Sequence, residues 1–113
     1  MLGEVVRQVR LDRGVSGSEF AKAVGISPSY VCKIENQGAV PTEKIIVKMA
    51  AALGVAPERF LTAAGKLPKD VMHALQLQPE ALCKLIRALS GAPAERVNHV
   101  VDYAKSLNRN PSP

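Results

Sequence analysis

The chain has no tryptophan and few other aromatic residues, with only two phenylalanines and two tyrosines among its 113 residues. With so few aromatic side chains, Leu, Val, Ile and Ala must fill the interior, which favours helices. This length allows one small domain with an extension, and it limits the core to a modest size.

Cysteines and long apolar segments are also scarce. Cys32 and Cys83 are isolated and lack the CxxC spacing of many metal and redox centres, as expected in a reducing cytoplasm. No apolar run approaches the ~20 residues of a membrane span, and the first residues do not resemble a signal peptide. We therefore expect a cytoplasmic protein without a membrane partner.

Patterns of catalysis and metal binding are missing as well. No Gly-rich phosphate loop, nucleophile elbow or catalytic carboxylate pair is present, so we expect no enzymatic activity and no cofactor. Glu95, His99 and Asp102 share one face of a predicted helix. Such a trio is more often solvated surface than a metal site, and we assign no metal ligand.

The chain is basic, with a net charge of +5, which suits a polyanionic partner. Residues 1–66 carry nine Lys/Arg and six Asp/Glu, whereas residues 67–113 carry six and four. The excess is spread over both halves and forms no basic tail. Charge alone therefore supports a nucleic-acid partner without identifying one.

Residues 16–38, SGSEFAKAVGISPSYVCKIENQG, predict two short helices joined by a tight turn. The opening SGSE has the pattern of a capping box, and Gly25 is placed to end the first helix in a left-handed conformation. Ser27 caps the second helix, whose first position is Pro28. Only Val31 and Ile34 recur there as apolar residues, so the remaining face is presented to a partner.

The flanking segments predict further helices. The first runs from about Gly3 to Arg13, a fourth runs from its cap Thr42 to Leu53, and a fifth spans 57–64. The apolar side of the first helix is formed by Val5, Val6, Val9 and Leu11. The fold class is therefore all-α, with five helices in the first ~65 residues.

This arrangement resembles the helix-turn-helix of the Xre family, the Cro and C1 repressor-like transcription factors, from about Leu2 to Gly65. The resemblance implies a five-helix lambda-repressor-like DNA-binding domain over residues 1–66, followed by a helical C-terminal extension. It also implies an ion pair that braces the first helix against the recognition helix. The matching residues are Ala21, Gly25, Val31 and Ile34-Glu35-Asn36, and the implied pair is Arg10 with Glu35.

In the resembled fold the second motif helix lies in the major groove of double-stranded DNA. Lys33 can then donate to guanine, and serine hydroxyls can reach phosphates or base edges. Pro28 offers only apolar contact, and Gly17 leaves its backbone N–H as a phosphate contact. The expected DNA-contacting residues are Gly17, Ser18, Ser27, Pro28, Ser29, Tyr30, Lys33 and Asn36.

Residues 67–113 predict three more helices, 68–77, 79–89 and 93–107, and a disordered tail from Asn108 to Pro113. The last two helices carry apolar stripes that either enlarge the core or pair two chains. We favour a homodimer, because two helix-turn-helix units read two half-sites. The expected dimerisation residues are Leu82, Leu85, Ile86, Leu89, Val97, Val100, Val101 and Ala104.

Two functions remain. The first is a sequence-specific transcriptional regulator, a dimeric repressor that reads a two-fold operator through the helix 27–37. The alternative is an antitoxin-like or adaptor protein whose helices within 67–107 bind a partner protein, with DNA binding for autoregulation. The operator, any inducer and the redox sensitivity of Cys32 stay open.

Overall fold

The computed structural model describes residues 1–109, and within them every secondary-structure element is a helix, which confirms the predicted all-α class. By its packing the chain divides into a first unit, Met1–Met72, and a second that begins at His73. Among the described helices, none is both long and apolar enough to cross a membrane. The helices are α1 Leu2–Asp12, α2 Gly17–Val24, α3 Pro28–Gln37, α4 Glu43–Leu53, α5 Pro57–Ala63, α6 Lys69–Leu77, α7 Pro79–Leu89 and α8 Ala94–Arg109.

The first unit has one hydrophobic core, built by α1 to α5. Both phenylalanines, Phe20 and Phe60, are fully buried, so the few large aromatic side chains are used at its centre. Burying a Phe or Leu side chain contributes roughly 1.5–3 kcal/mol, and aliphatic residues supply most of the core. The core residues are Leu2, Val6, Val9, Phe20, Ala21, Val24, Val31, Ile34, Ile46, Met49, Ala50, Leu53, Phe60 and Leu61.

The apolar side of α1 differs from the prediction in one residue. Leu11 is 53% exposed, whereas Leu2 lies in the core and α1 begins one residue earlier than expected. Successive helical residues are separated by about 100°, so Leu11 points away from the side that carries Val9. The buried stripe of α1 instead follows Leu2, Val6 and Val9 at spacings of four and three.

A side-chain hydrogen bond also joins the end of α1 to the end of α4. Arg13 Nε donates to the carbonyl oxygen of Leu53 at 2.9 Å. The last carbonyls of a helix have no partner within it, so this bond satisfies one of them. It ties two helices that are distant in the chain.

The second unit is described by itself as α7, α8 and most of α6. Among its described residues none is buried, although α7 and α8 carry the predicted apolar stripes. The helix α8 continues through Arg109, so Asn108 and Arg109 are helical and the predicted tail began too early. The rest of that predicted tail, 110–113, lies outside the described residues.

The ion pair between Arg10 and Glu35 links α1 to α3. Arg10 Nε lies 2.8 Å from Glu35 Oε2, and Nη2 lies 2.9 Å from Oε1, so the guanidinium binds both carboxylate oxygens. Arg10 Nη1 also donates to the carbonyl oxygen of Val15 at 2.8 Å. The hydrogen bond to Glu35 raises the pKa of Arg10, which keeps the guanidinium charged. The side chain of Glu35 is only 4% exposed, which makes Arg10 its essential counter-ion.

Replacing Arg10 with methionine keeps much of the side chain but leaves the Glu35 carboxylate without its charged partner. Breaking such a pair typically costs about 3–5 kcal/mol of unfolding free energy. Urea denaturation followed by circular dichroism measures the loss. Arg7→Met, at an exposed position of the same helix, is the matched control and should change stability by less than about 0.5 kcal/mol. Equal stability of the two variants would contradict a bracing role for the pair.

Candidate nucleic-acid interface

A tight turn sets the angle between α2 and α3. Gly25 adopts φ 85° and ψ 32°, a left-handed conformation that residues other than glycine rarely adopt. The N–H groups of Gly25 and Ile26 both donate to the carbonyl oxygen of Ala21, at 2.9 and 3.0 Å. Ala21 is buried and Ile26 is half-buried against the core, so contacts with the hydrophobic core hold the turn in place.

The sequence of α3 anchors one side of the helix and leaves the other free. Ser27 caps it by accepting a hydrogen bond from the N–H of Tyr30 at 3.1 Å, and Pro28 occupies the first turn. Only Val31 and Ile34 are buried, as the sequence indicated. The opposite face is therefore available to a partner along the length of the helix.

Most of the predicted DNA-contacting side chains are exposed. Tyr30 differs, because it is half-buried and packs against the core, which leaves only part of its ring and its hydroxyl for a partner. Gly17 is half-buried at the start of α2, and a Cβ there would meet nothing within 4 Å. The exposed residues are Ser18, Ser27, Pro28, Ser29, Lys33 and Asn36.

A surface cleft of about 300 Å³ brings part of the predicted set together where α2 begins beside α3. The first N–H groups of a helix have no partner within it, and they carry partial positive charge. The cleft therefore places unused donors of α2 next to the exposed face of α3. Its lining includes Gly17, Ser18, Pro28 and Asn36, whereas Ser27, Ser29, Tyr30 and Lys33 lie outside it.

The charge of α3 also favours a polyanion. Its only carboxylate is Glu35, which also lines the cleft but is nearly buried and is neutralised by Arg10. Lys33 is its only cation, and it is exposed on the outer face. No acidic side chain of α3 therefore repels a phosphate or a base edge.

Two features of this region were missed at the sequence level. Cys32 lines the cleft, and Asn36 Nδ2 donates to its sulfur at 3.4 Å, so the amide is held beside the thiol. Gly3 is buried against α3, and the signal for it was a glycine inside a helical pattern, which usually has a packing reason. The signal for the contact between Cys32 and Asn36 was their spacing of four residues within a predicted helix, which makes the two side chains neighbours.

The residues predicted to pair two chains lie on α7 and α8. They keep substantial solvent exposure in the single chain, with Leu85 at 45%, Ile86 at 56% and Val101 at 41%. Ala104 is also exposed, and the remaining four, Leu82, Leu89, Val97 and Val100, are half-buried. The two stripes thus form apolar surface, and nothing in the second unit buries them fully.

The helix-turn-helix family matches this sequence over residues 6–60, which spans α2, α3 and the turn between them. The HTH-type transcriptional regulator SinR of Bacillus subtilis (strain 168) is 31% identical over 108 residues, and the match covers 93% of each chain. In the solved complex of SinR protein with SinI protein, one chain has a similar fold, with a TM-score of 0.54 at 23% identity. That match covers 97% of this chain and all of the other.

A second solved structure, the clp gene regulator ClgR from Corynebacterium glutamicum, has a TM-score of 0.52 at 27% identity. The structural match covers 79% of this chain and 89% of the ClgR chain. The sequence match to a transcriptional regulator therefore runs through the extension as well as the first unit. Together with the geometry of α2 and α3, these similarities identify the chain as a member of the Xre family of helix-turn-helix transcriptional regulators.

Proposed function

We propose that this regulator is a homodimeric repressor that reads a two-fold operator through α3. The observation that carries the proposal is the outer face of α3, which is polar, exposed and free of acidic side chains. Side chains on such a surface can donate hydrogen bonds to bases and phosphates, and no neighbouring carboxylate repels the DNA. We place the protein in the cytoplasm, and we assign it no catalytic activity.

In this proposal residues 1–66 form the DNA-binding domain, and α2 and α3 contact different parts of the DNA. The N–H groups of Gly17 and Ser18 bind a backbone phosphate and set the register of the domain. Lys33 and Asn36 face the bases, where lysine pairs with guanine and asparagine with adenine. Ser27, Ser29 and Tyr30 add hydroxyl contacts, and Pro28 packs against a base edge.

Residues 67–113 pair two chains in this proposal. The exposed fractions of Leu85, Ile86 and Val101 support it, because extensive exposed apolar surface usually marks an interface. A two-fold dimer would present two α3 helices to half-sites about one helical turn, ~34 Å, apart. Each half-site is short, so pairing supplies both affinity and specificity.

A partner protein bound to α7 and α8 is the alternative occupant of the same apolar stripes. The solved chain of similar fold comes from a complex of two different proteins, which supports this alternative. In that case the protein would act as an antitoxin-like or adaptor protein, and DNA binding would serve autoregulation. The two proposals differ in the mass of the protein when no other chain is present.

Replacing Lys33 with alanine tests base readout. The variant should lose ~1–3 kcal/mol of specific binding free energy and relax base preference at one position of each half-site. Binding of the operator and of duplexes altered at single positions measures both effects. Lys105→Ala removes the same charge from an exposed position of α8 and should leave base preference unchanged. A uniform loss of affinity for all duplexes would show that Lys33 contacts a phosphate instead.

A charge placed in the apolar stripes tests pairing. The double variant Leu85→Asp, Val101→Asp should be a monomer by light scattering and should bind the operator weakly, because two carboxylates cannot be buried unpaired. Leu11→Asp, at an exposed leucine of α1, is the matched control and should remain a dimer. Circular dichroism checks that the helices persist. A wild-type monomer at micromolar concentration would contradict the homodimer and favour the partner-protein alternative.

A further inference from the structure

Gly3 is a buried glycine in the first turn of α1, where its backbone is ordinary helix and not left-handed. Glycine weakens a helix relative to alanine, so a helical glycine without a special backbone angle needs another reason. Its surroundings supply that reason. The atoms that a Cβ on Gly3 would approach most closely outside α1 belong to the backbone of α3, the helix proposed to read DNA.

A methyl group at this position would overlap the carbonyl oxygen of Ile34. It would also lie 2.8 Å from the carbonyl oxygen of Glu35 and 3.0 Å from the Cα of Glu35. All three atoms are backbone, so no flexible side chain can move aside to make room. Any residue other than glycine therefore forces α1 and α3 apart or tilts one against the other.

The same residue of α3 is held at a second point. Arg10 binds the carboxylate of Glu35, and it follows Gly3 by seven residues, or about two turns on one face of α1. One contact is backbone against backbone, and the other is a charged side-chain pair. Together they fix both the distance and the rotation of the C-terminal half of α3.

We propose that Gly3 is a positioning residue for DNA recognition, which rests on the proposed reading of bases by α3. The turn at Gly25 and the shared hydrophobic core hold the N-terminal half of α3 against α2. Displacement at Glu35 therefore tilts the helix and moves Lys33 and Asn36 relative to the base edges. Recognition needs contacts placed within about 0.5 Å, whereas phosphate binding tolerates larger shifts.

The test compares wild type, Gly3→Ala and Glu4→Ala on the operator and on a scrambled duplex of the same length. Glu4 is the exposed neighbour of Gly3 in the same turn, so its variant controls for alanine at the start of α1. Gly3→Ala should lose about tenfold or more in operator affinity, the loss typical of one mismatched base pair, and little on the scrambled duplex. Glu4→Ala should keep the wild-type ratio of the two affinities.

If Gly3→Ala does not fold, a variant that lacks residues 1–3 tests the same proposal. It removes the backbone contact without adding an atom, so α3 loses its support near Glu35 while no clash arises. Leu2→Ala controls for the core side chain that is lost with the deletion. Measured at low temperature, where it remains folded, it should keep the wild-type ratio of operator affinity to scrambled-duplex affinity. The deletion should lower operator affinity selectively, as Gly3→Ala does.

A folded Gly3→Ala with the wild-type affinity ratio would overturn the proposal, because the residue would then affect stability alone. If Gly3→Ala is unfolded, a deletion variant with the wild-type ratio overturns it in the same way. A wild-type protein that binds both duplexes equally would instead overturn the proposed function. The two failures are therefore distinguished by the wild-type measurement.

Discussion

The contact between α1 and α3 at Glu35 is the constraint on which the rest of the structure depends. A helix that presents a polar face outward has little apolar surface of its own, and α3 buries only Val31 and Ile34. Its position must therefore come from elsewhere. The pair between Arg10 and Glu35 supplies a strong directional contact, and it also neutralises the only carboxylate of α3.

The two units differ in how completely their apolar side chains are buried. In the first unit α1 to α5 share one closed core, which gives the recognition surface a rigid base. In the second unit no described residue is buried, and the apolar stripes of α7 and α8 remain partly solvated. A protein built this way separates a rigid recognition surface from exposed apolar surface, and the proposed dimer on a two-fold operator would use both.

The helices and the motif could be predicted from local chemistry, because caps, glycine stops and apolar spacing act within a few residues. Ser27, Pro28 and Gly25 thus marked the ends of α2 and α3 without reference to the fold. The close approach at Gly3 depends on the backbones of two helices meeting in space, which no local pattern records. The error at Leu11 has the same origin, since its apolar character could not show which side of α1 faces the core.

Selection of bound sequences from a random DNA pool tests the central claim most directly, because it presumes no operator. A dimer that reads DNA through two α3 helices should recover one motif with two-fold symmetry, its half-sites about one helical turn apart. The enriched duplex should bind at least about a thousandfold more tightly than the starting pool at physiological salt. Recovery of no common motif, or of sequences that bind no better than the pool, would contradict the account.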